Sequence, residues 1–121
     1  MTFASVVAAL RRYGEQLTQL QAVVGQPEMA DQARGVQQFF SQSLWGTITQ
    51  LQLPQGSSQW HAAVTEIHRH MRLLAVEVSF AQSAQQSHIR QQRLGQIEQR
   101  LEQLQGFTQV LLGLLPNELP R

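Results

Sequence analysis

The sequence contains neither cysteine nor lysine. Without cysteine, the chain has no disulfide bond, no thiol nucleophile and no cysteine-ligated metal. The same absence is compatible with the cytoplasm, which is the location we predict. All nine basic residues are arginines, and the eight acidic residues leave a formal net charge of +1. So small a positive excess does not predict a nucleic-acid-binding protein.

Long apolar runs are also missing. The longest apolar segment, Phe107 to Leu115, is about half of the roughly 20 residues that a membrane-spanning helix requires. The chain starts at Met1 to Phe3 without the basic region and cleavage site of a signal peptide. We therefore expect no signal peptide and no membrane insertion. We predict a single helical domain over residues 1–115 and a flexible tail over residues 116–121, because the tail contains two prolines.

Glutamine is abundant, with 22 residues, and it is interleaved with regularly spaced apolar residues. Glutamine forms helices well and carries no charge, so this pattern predicts helices rather than a low-complexity segment. Mostly apolar residues recur at gaps of three and four, which places them on one side of a helix. The four stripes are Phe3, Val6, Leu10, Tyr13, Leu17, Leu20 and Val24; Met29, Ala33, Val36, Phe40, Leu44, Ile48 and Leu51; Trp60, Val64, Ile67, Met71, Leu74, Val78 and Ala81; and Leu94, Ile97, Leu101, Leu104, Thr108, Leu111 and Leu115.

The last two stripes are out of phase with each other. Continuing the third stripe past Ala81 misses Leu94 by one position. Either one long helix rotates its apolar side, or the chain turns back between Gln85 and Ser87, which is the interpretation we favour. The predicted fold is therefore all-α, a four- to five-helix antiparallel bundle with long C-terminal helices. The count is five if the second helix breaks near Gly46.

Several residues are typical of helix ends. Thr2 can cap the first helix, and Gly25 can end it because glycine tolerates left-handed dihedral angles. The segment from Pro54 to Ser57 reads as a loop. Ser57 or Ser58 is then the predicted cap of the third helix.

The four histidines are the first candidates for metal ligands. His61 and His68 are seven residues apart on one flank of the third helix, and His70 points elsewhere. Glu66 and His70 have the i,i+4 spacing of a zinc-binding helix, but such a pair more often lies at the surface. Neither these residues nor His88 form a recognisable site, and the sequence has no nucleophile elbow or phosphate-binding loop. We predict a protein that is not an enzyme and has no metal or cofactor.

Arginines concentrate on the last two predicted helices. They provide either a soluble surface or a contact face for an acidic protein, since arginine is favoured at interfaces. Acidic residues are interspersed with them, which argues against nucleic acid. The candidate partner-binding residues are Arg69, Arg72, Arg90, Arg93 and Arg100.

The third predicted helix carries a second apolar stripe. Leu73, Val76 and Phe80 lie opposite the main stripe, so this helix is apolar on two sides. Either other helices of the chain surround it, or the second stripe is a homodimer interface. We predict the homodimer. Glu77 lies within this segment and needs an arginine or hydrogen-bond partner if it is buried.

The segment from Arg69 to Ala84, followed by Arg93-Leu94 and by Arg100 to Leu104, resembles the PatD family of cyanobacterial heterocyst frequency control proteins. Val36 to Phe40 is similar as well. The resemblance implies a non-enzymatic regulator that binds the tubulin-like division protein FtsZ and promotes its assembly. It would thereby influence cell division and, in filamentous hosts, heterocyst frequency. The alternatives are a helical adaptor of another protein assembly and a small metal- or ligand-binding bundle.

Overall fold

Helices account for all the regular structure in residues 2–116, the part of the chain that the computed structural model describes. The elements are α1 (Phe3–Ala22), α2 (Met29–Phe39), a π-helical segment (Phe40–Leu44), α3 (Trp45–Gln50), α4 (Ser57–Ser83) and α5 (Ser87–Leu114). The π segment joins α2 to α3 without interruption, so the chain forms four helical rods over these residues. The predicted all-α fold with long C-terminal helices is confirmed. Of the predicted flexible tail, residues 117–121 lie outside the described residues.

The four predicted stripes form the core. Every stripe residue is buried except Phe3, Val24 and Leu115, which are half-buried. Each rod therefore removes one apolar side from water by packing it against the others, which is the main driving force of the fold. Over residues 2–116, no helix has the combination of length and apolar character needed to cross a membrane.

α4 and α5 pack against each other in opposite directions. The Arg93 guanidinium lies over the ring of Phe80, and the ring of Phe107 lies beside that of His70. An early residue of α5 thus contacts a late residue of α4, and a later residue of α5 contacts an earlier residue of α4. Residues 84–86 form the short connection. The change of phase between the last two stripes is therefore a turn, as predicted.

The second helix does not break near Gly46, so the open question of four or five helices is decided for four; its irregularity is the π segment Phe40–Leu44. Three successive gaps of four separate the stripe residues from Val36 to Ile48. Each gap of four overshoots a helical turn by about 40°. A wider turn with i→i+5 hydrogen bonds absorbs the excess. The stripe therefore stays on the core side, and Val36 and Ile48 are both fully buried.

The predicted cap at the start of α1 is confirmed, whereas the glycine predicted to end this helix lies beyond its last residue. The Thr2 side-chain oxygen accepts a hydrogen bond from the Ser5 backbone N–H at 3.1 Å, which confirms the cap. Gly25 has the expected left-handed backbone, with φ of +83°. The helix itself ends at Ala22, and Gly25 belongs to the turn that follows.

The predicted serine cap of α4 is wrong. Gly56 occupies the position before the helix with a left-handed backbone, and no side chain caps it. Ser57 is already the first helical residue, so its hydroxyl lies past the position from which a cap bonds the first turn. A different side chain, that of Trp60 in the first turn of α4, satisfies the end of α3: its indole N–H donates to the carbonyl oxygen of Ile48 at 2.8 Å. That carbonyl is one of the last four of α3, which lack a donor within their own helix.

Candidate protein-binding surface on helices α4 and α5

The second apolar stripe lies on the outer surface of the chain. Val76 is 47% exposed and Phe80 is 49% exposed, while Leu73 is half-buried. The exposure of Val76 and Phe80 shows that the stripe is not part of the core, although the Arg93 side chain of α5 lies over the Phe80 ring. It forms one wall of a shallow groove, called the α4–α5 groove below. The groove is lined by Leu73, Val76, Glu77, Phe80, Arg93, Gln96, Gln99, Arg100 and Gln103.

An ion pair closes the base of this groove. The Arg100 guanidinium donates to both carboxylate oxygens of Glu77, at 2.9 and 2.8 Å. The two side chains are only 19% and 13% exposed. Glu77 therefore has the partner that its apolar surroundings require, and the pair raises the pKa of Arg100. The Arg100 guanidinium is thus bonded inside the chain and, unlike the other candidate arginines, is not free to pair with an acidic partner.

His70 extends the same network into the interior. Its Nδ1 atom lies 2.7 Å from Nη1 of Arg100. Arginine can only donate, so Nδ1 accepts in this contact, which is much shorter than the 3.4 Å between Nη2 of Arg69 and Nε2. Nε2 then carries the proton of the neutral ring. Nε2 lies 3.5 Å from Oε2 of Glu66. The interpretation of Glu66 and His70 as a surface pair is thus wrong for His70, which is 4% exposed. It lies one turn before Leu74, on the side of α4 that faces α5.

Burial lowers the pKa of His70, and the positive charges of Arg100 and Arg69 lower it further. Glu66 opposes this shift only in part. A proton on Nδ1 would point at the Arg100 guanidinium, so the contact geometry and the pKa direction agree. His70 is therefore neutral at pH 7. Its role in the described chain is to accept a hydrogen bond that orients Arg100.

At pH values below about 6.5, the ordinary pKa of a histidine in an unfolded chain, we expect the free energy of unfolding to decrease. The folded pKa of His70 is lower than the unfolded one, so the unfolded chain binds the proton first. The contribution of neutral His70 to the free energy of unfolding is therefore fully present above the unfolded pKa. It is lost as the pH falls through the folded pKa. Thermal denaturation across this pH range measures it. In His70→Asn the amide oxygen still accepts from Arg100 but does not titrate, so the slope should flatten. An unchanged slope would assign the effect to other groups.

The other candidate arginines differ in how much of their charge is neutralised. Arg69 donates to Glu66 at 3.0 Å on the exposed side of α4. Arg93 lies over the Phe80 ring, 5.1 Å from its centroid. Within residues 2–116, Arg72, Arg90 and Arg93 have no carboxylate within 4.0 Å. These three therefore keep an uncompensated positive charge, and Arg93 is the one of them that lines the α4–α5 groove.

The remaining histidines lie apart from this network. His68 stacks on Trp45, with ring centroids 4.6 Å apart, and His61 and His88 are exposed. In the part of the chain that the structure describes, no three histidine, aspartate or glutamate side chains are placed to hold one metal ion.

An aromatic cluster lies at the π segment, and the regular stripes of the sequence do not predict it. The ring of Phe40 contacts those of Tyr13, Trp45 and His68, with centroids 6.0, 5.8 and 6.4 Å apart. Trp45 lies outside the regular stripe, and the wide turn before it directs it against α4. The three successive gaps of four were the available signal.

The α4–α5 groove combines exposed apolar side chains, glutamine amides and Arg93, which has no carboxylate partner among the described residues. Comparison with protein-family models, curated proteins and solved structures gives no significant match. Large apolar side chains beside arginines are the composition that protein interfaces favour. The surface is suited to binding a protein.

Proposed function

We propose that this chain is a non-enzymatic cytoplasmic regulator that binds FtsZ and promotes or modulates its assembly. Through FtsZ it influences cell division and, in a filamentous host, heterocyst frequency. The resemblance of Arg69 to Ala84 to the PatD family supports this proposal. The observation that carries it is that Arg72, Arg90 and Arg93, on α4 and α5, have no carboxylate partner among residues 2–116.

The three arginines would attract an acidic polymer electrostatically. Arg72 is exposed on α4, and Arg90 and Arg93 are half-buried in the first turns of α5. Over residues 2–116 no carboxylate of the chain lies close enough to neutralise them. A charge that is not satisfied within the chain is available to a partner, and it mainly speeds the encounter.

Co-sedimentation with FtsZ filaments tests the proposal. We expect the protein to pellet with the filaments, and the bound fraction to fall as salt rises. The physical reason is that exposed charges are screened over about 10 Å at 0.1 M ionic strength. A protein that stays in the supernatant across salt and nucleotide conditions contradicts the proposed function.

A charge-matched pair of variants locates the contact. Changing Arg72, Arg90 and Arg93 to glutamine preserves helix propensity and should strongly reduce pelleting. Changing Arg11, Arg12 and Arg34 to glutamine alters the net charge equally, but these residues lie on α1 and α2. That control should pellet like the unmodified protein. Equal losses in the two variants would show that only net charge matters, and circular dichroism checks that both remain helical.

A further inference from the structure

The exposed stripe on α4 is symmetric along the helix. Leu73 and Phe80 lie at equal distances on either side of the midpoint between Val76 and Glu77. Val76 and Phe80 are each about half exposed, and contiguous apolar surface of this kind marks an interaction site. We propose that α4 pairs with α4 of a second copy of this chain, antiparallel, about a two-fold axis through that midpoint.

A two-fold axis makes the stripe complementary to itself. Leu73 of each copy packs against Phe80 of the other, and Val76 meets Val76 at the axis. Each apolar residue therefore finds an apolar neighbour, as a closed dimer with identical patches requires. The spacing of Leu73, Val76 and Phe80 matches the 3.5-residue repeat of two helices that pack along their length.

Charge selects the antiparallel direction. The same register places Arg69 of one copy beside Ser83 and Ala84 of the other, where α4 ends. The last four carbonyls of a helix lack intrahelical donors and carry the negative end of its dipole. α4 has no basic residue of its own in its last turn, so Arg69 of the second copy brings a cation there through the N–H groups that its bond to Glu66 leaves free. A parallel pairing would instead bring the two Arg69 side chains together.

The surroundings of the stripe add no unpaired carboxylate to the interface. Glu77 lies as close to the proposed axis as Val76, and its carboxylate is already bonded to Arg100. Besides Arg93 and Arg100, the residues of α5 in the groove are Gln96, Gln99 and Gln103. Amides can exchange hydrogen bonds across an interface in either direction, because each both donates and accepts. The second copy therefore buries apolar area without stranding a carboxylate.

Light scattering of the intact chain tests the dimer. The unmodified protein should have twice the chain mass of 13.7 kDa. Val76→Glu should have half the mass of the unmodified protein, because it places two carboxylates at the axis. Its fold should survive, since the position is exposed in the single chain and glutamate favours helix more than valine. Val110→Glu is the matched control, since Val110 is equally exposed at 47% but lies outside the groove, so it should stay dimeric.

Engineered cysteines test the register, and the chain contains no other cysteine. Val76→Cys should form an intermolecular disulfide on mild oxidation, because Cβ atoms at the axis come within the few ångströms that this bond needs. Val110→Cys should not. When Leu73→Cys and Phe80→Cys are mixed, disulfides between the two variants should be more abundant than disulfides between two copies of either variant.

A monomeric unmodified protein overturns the proposal and leaves the stripe to a partner of different sequence. A dimeric Val76→Glu, or equal cross-linking at Val110, overturns the placement. Leu73→Cys that links only to itself overturns the antiparallel direction. If Val76→Glu fails to fold, the cysteine variants alone decide the outcome.

Discussion

Replacing Arg100 by methionine is expected to lower the free energy of unfolding by about 3–5 kcal/mol, the usual cost of removing one partner from a buried ion pair. The change leaves the carboxylate of Glu77, which is 13% exposed, without its two hydrogen bonds. It also leaves Nδ1 of the buried His70 without a donor. Urea denaturation at neutral pH measures the loss.

The double variant Arg100→Met with Glu77→Leu should recover much of that stability. An apolar pair of similar size avoids the cost of a buried, unpaired charge. The cycle of single and double variants then isolates the coupling between the two residues. A double variant no more stable than Arg100→Met would show that the loss comes from packing.

Arg34→Met is the matched control for this prediction. Arg34 makes a shorter bond to Asp31, at 2.6 Å, but the two side chains are 65% and 83% exposed. An exposed pair contributes only about 0–1 kcal/mol, because water solvates both ions once it is broken. The control should therefore lose little stability. An equal loss at Arg34 and Arg100 would contradict the argument that burial, and not distance, determines the effect.

Deleting Gln42 is expected to leave the protein folded, whereas deleting Thr65 should remove most of its stability, which for domains of this kind is about 5–15 kcal/mol. Both residues are exposed within helical segments. Removing Gln42 shortens one of the three successive gaps of four, so the stripe from Met29 to Leu51 alternates four and three throughout. The π segment should then relax into a regular α-helix.

Removing Thr65 has the opposite effect. It shortens the gap between Val64 and Ile67 to two and rotates the rest of α4 by about 100°. The stripe that follows would then turn away from α5. Thermal unfolding followed by circular dichroism compares the two deletions. If both were equally harmful, the π segment would be required for another reason, such as holding Trp45 against His68.

The helices themselves could be predicted because their signal is local. Each core stripe repeats with the helical period, and the loop before α4 and the turn after it interrupt that period at identifiable residues. The sequence left open a break of the second helix near Gly46, since glycine weakens helices. The structure places the irregularity of this helix at Phe40–Leu44, where the spacing of the stripe, and not a residue type, sets the geometry. Spacing was therefore the better guide than composition.

The amino-acid sequence by itself determined the helical class, the four buried stripes and the reversal between α4 and α5, because periodicity is encoded in neighbouring residues. Only the tertiary structure decided that Arg100 pairs internally with Glu77, that His70 is buried and that Val76 and Phe80 face outward. Each of these depends on which helix covers which side of α4. α5 covers the side that carries His70 and Glu77, whereas no described segment covers the side of Val76. Residues on the same helix with similar local sequence thus differ in environment, since burial is set by distant parts of the chain.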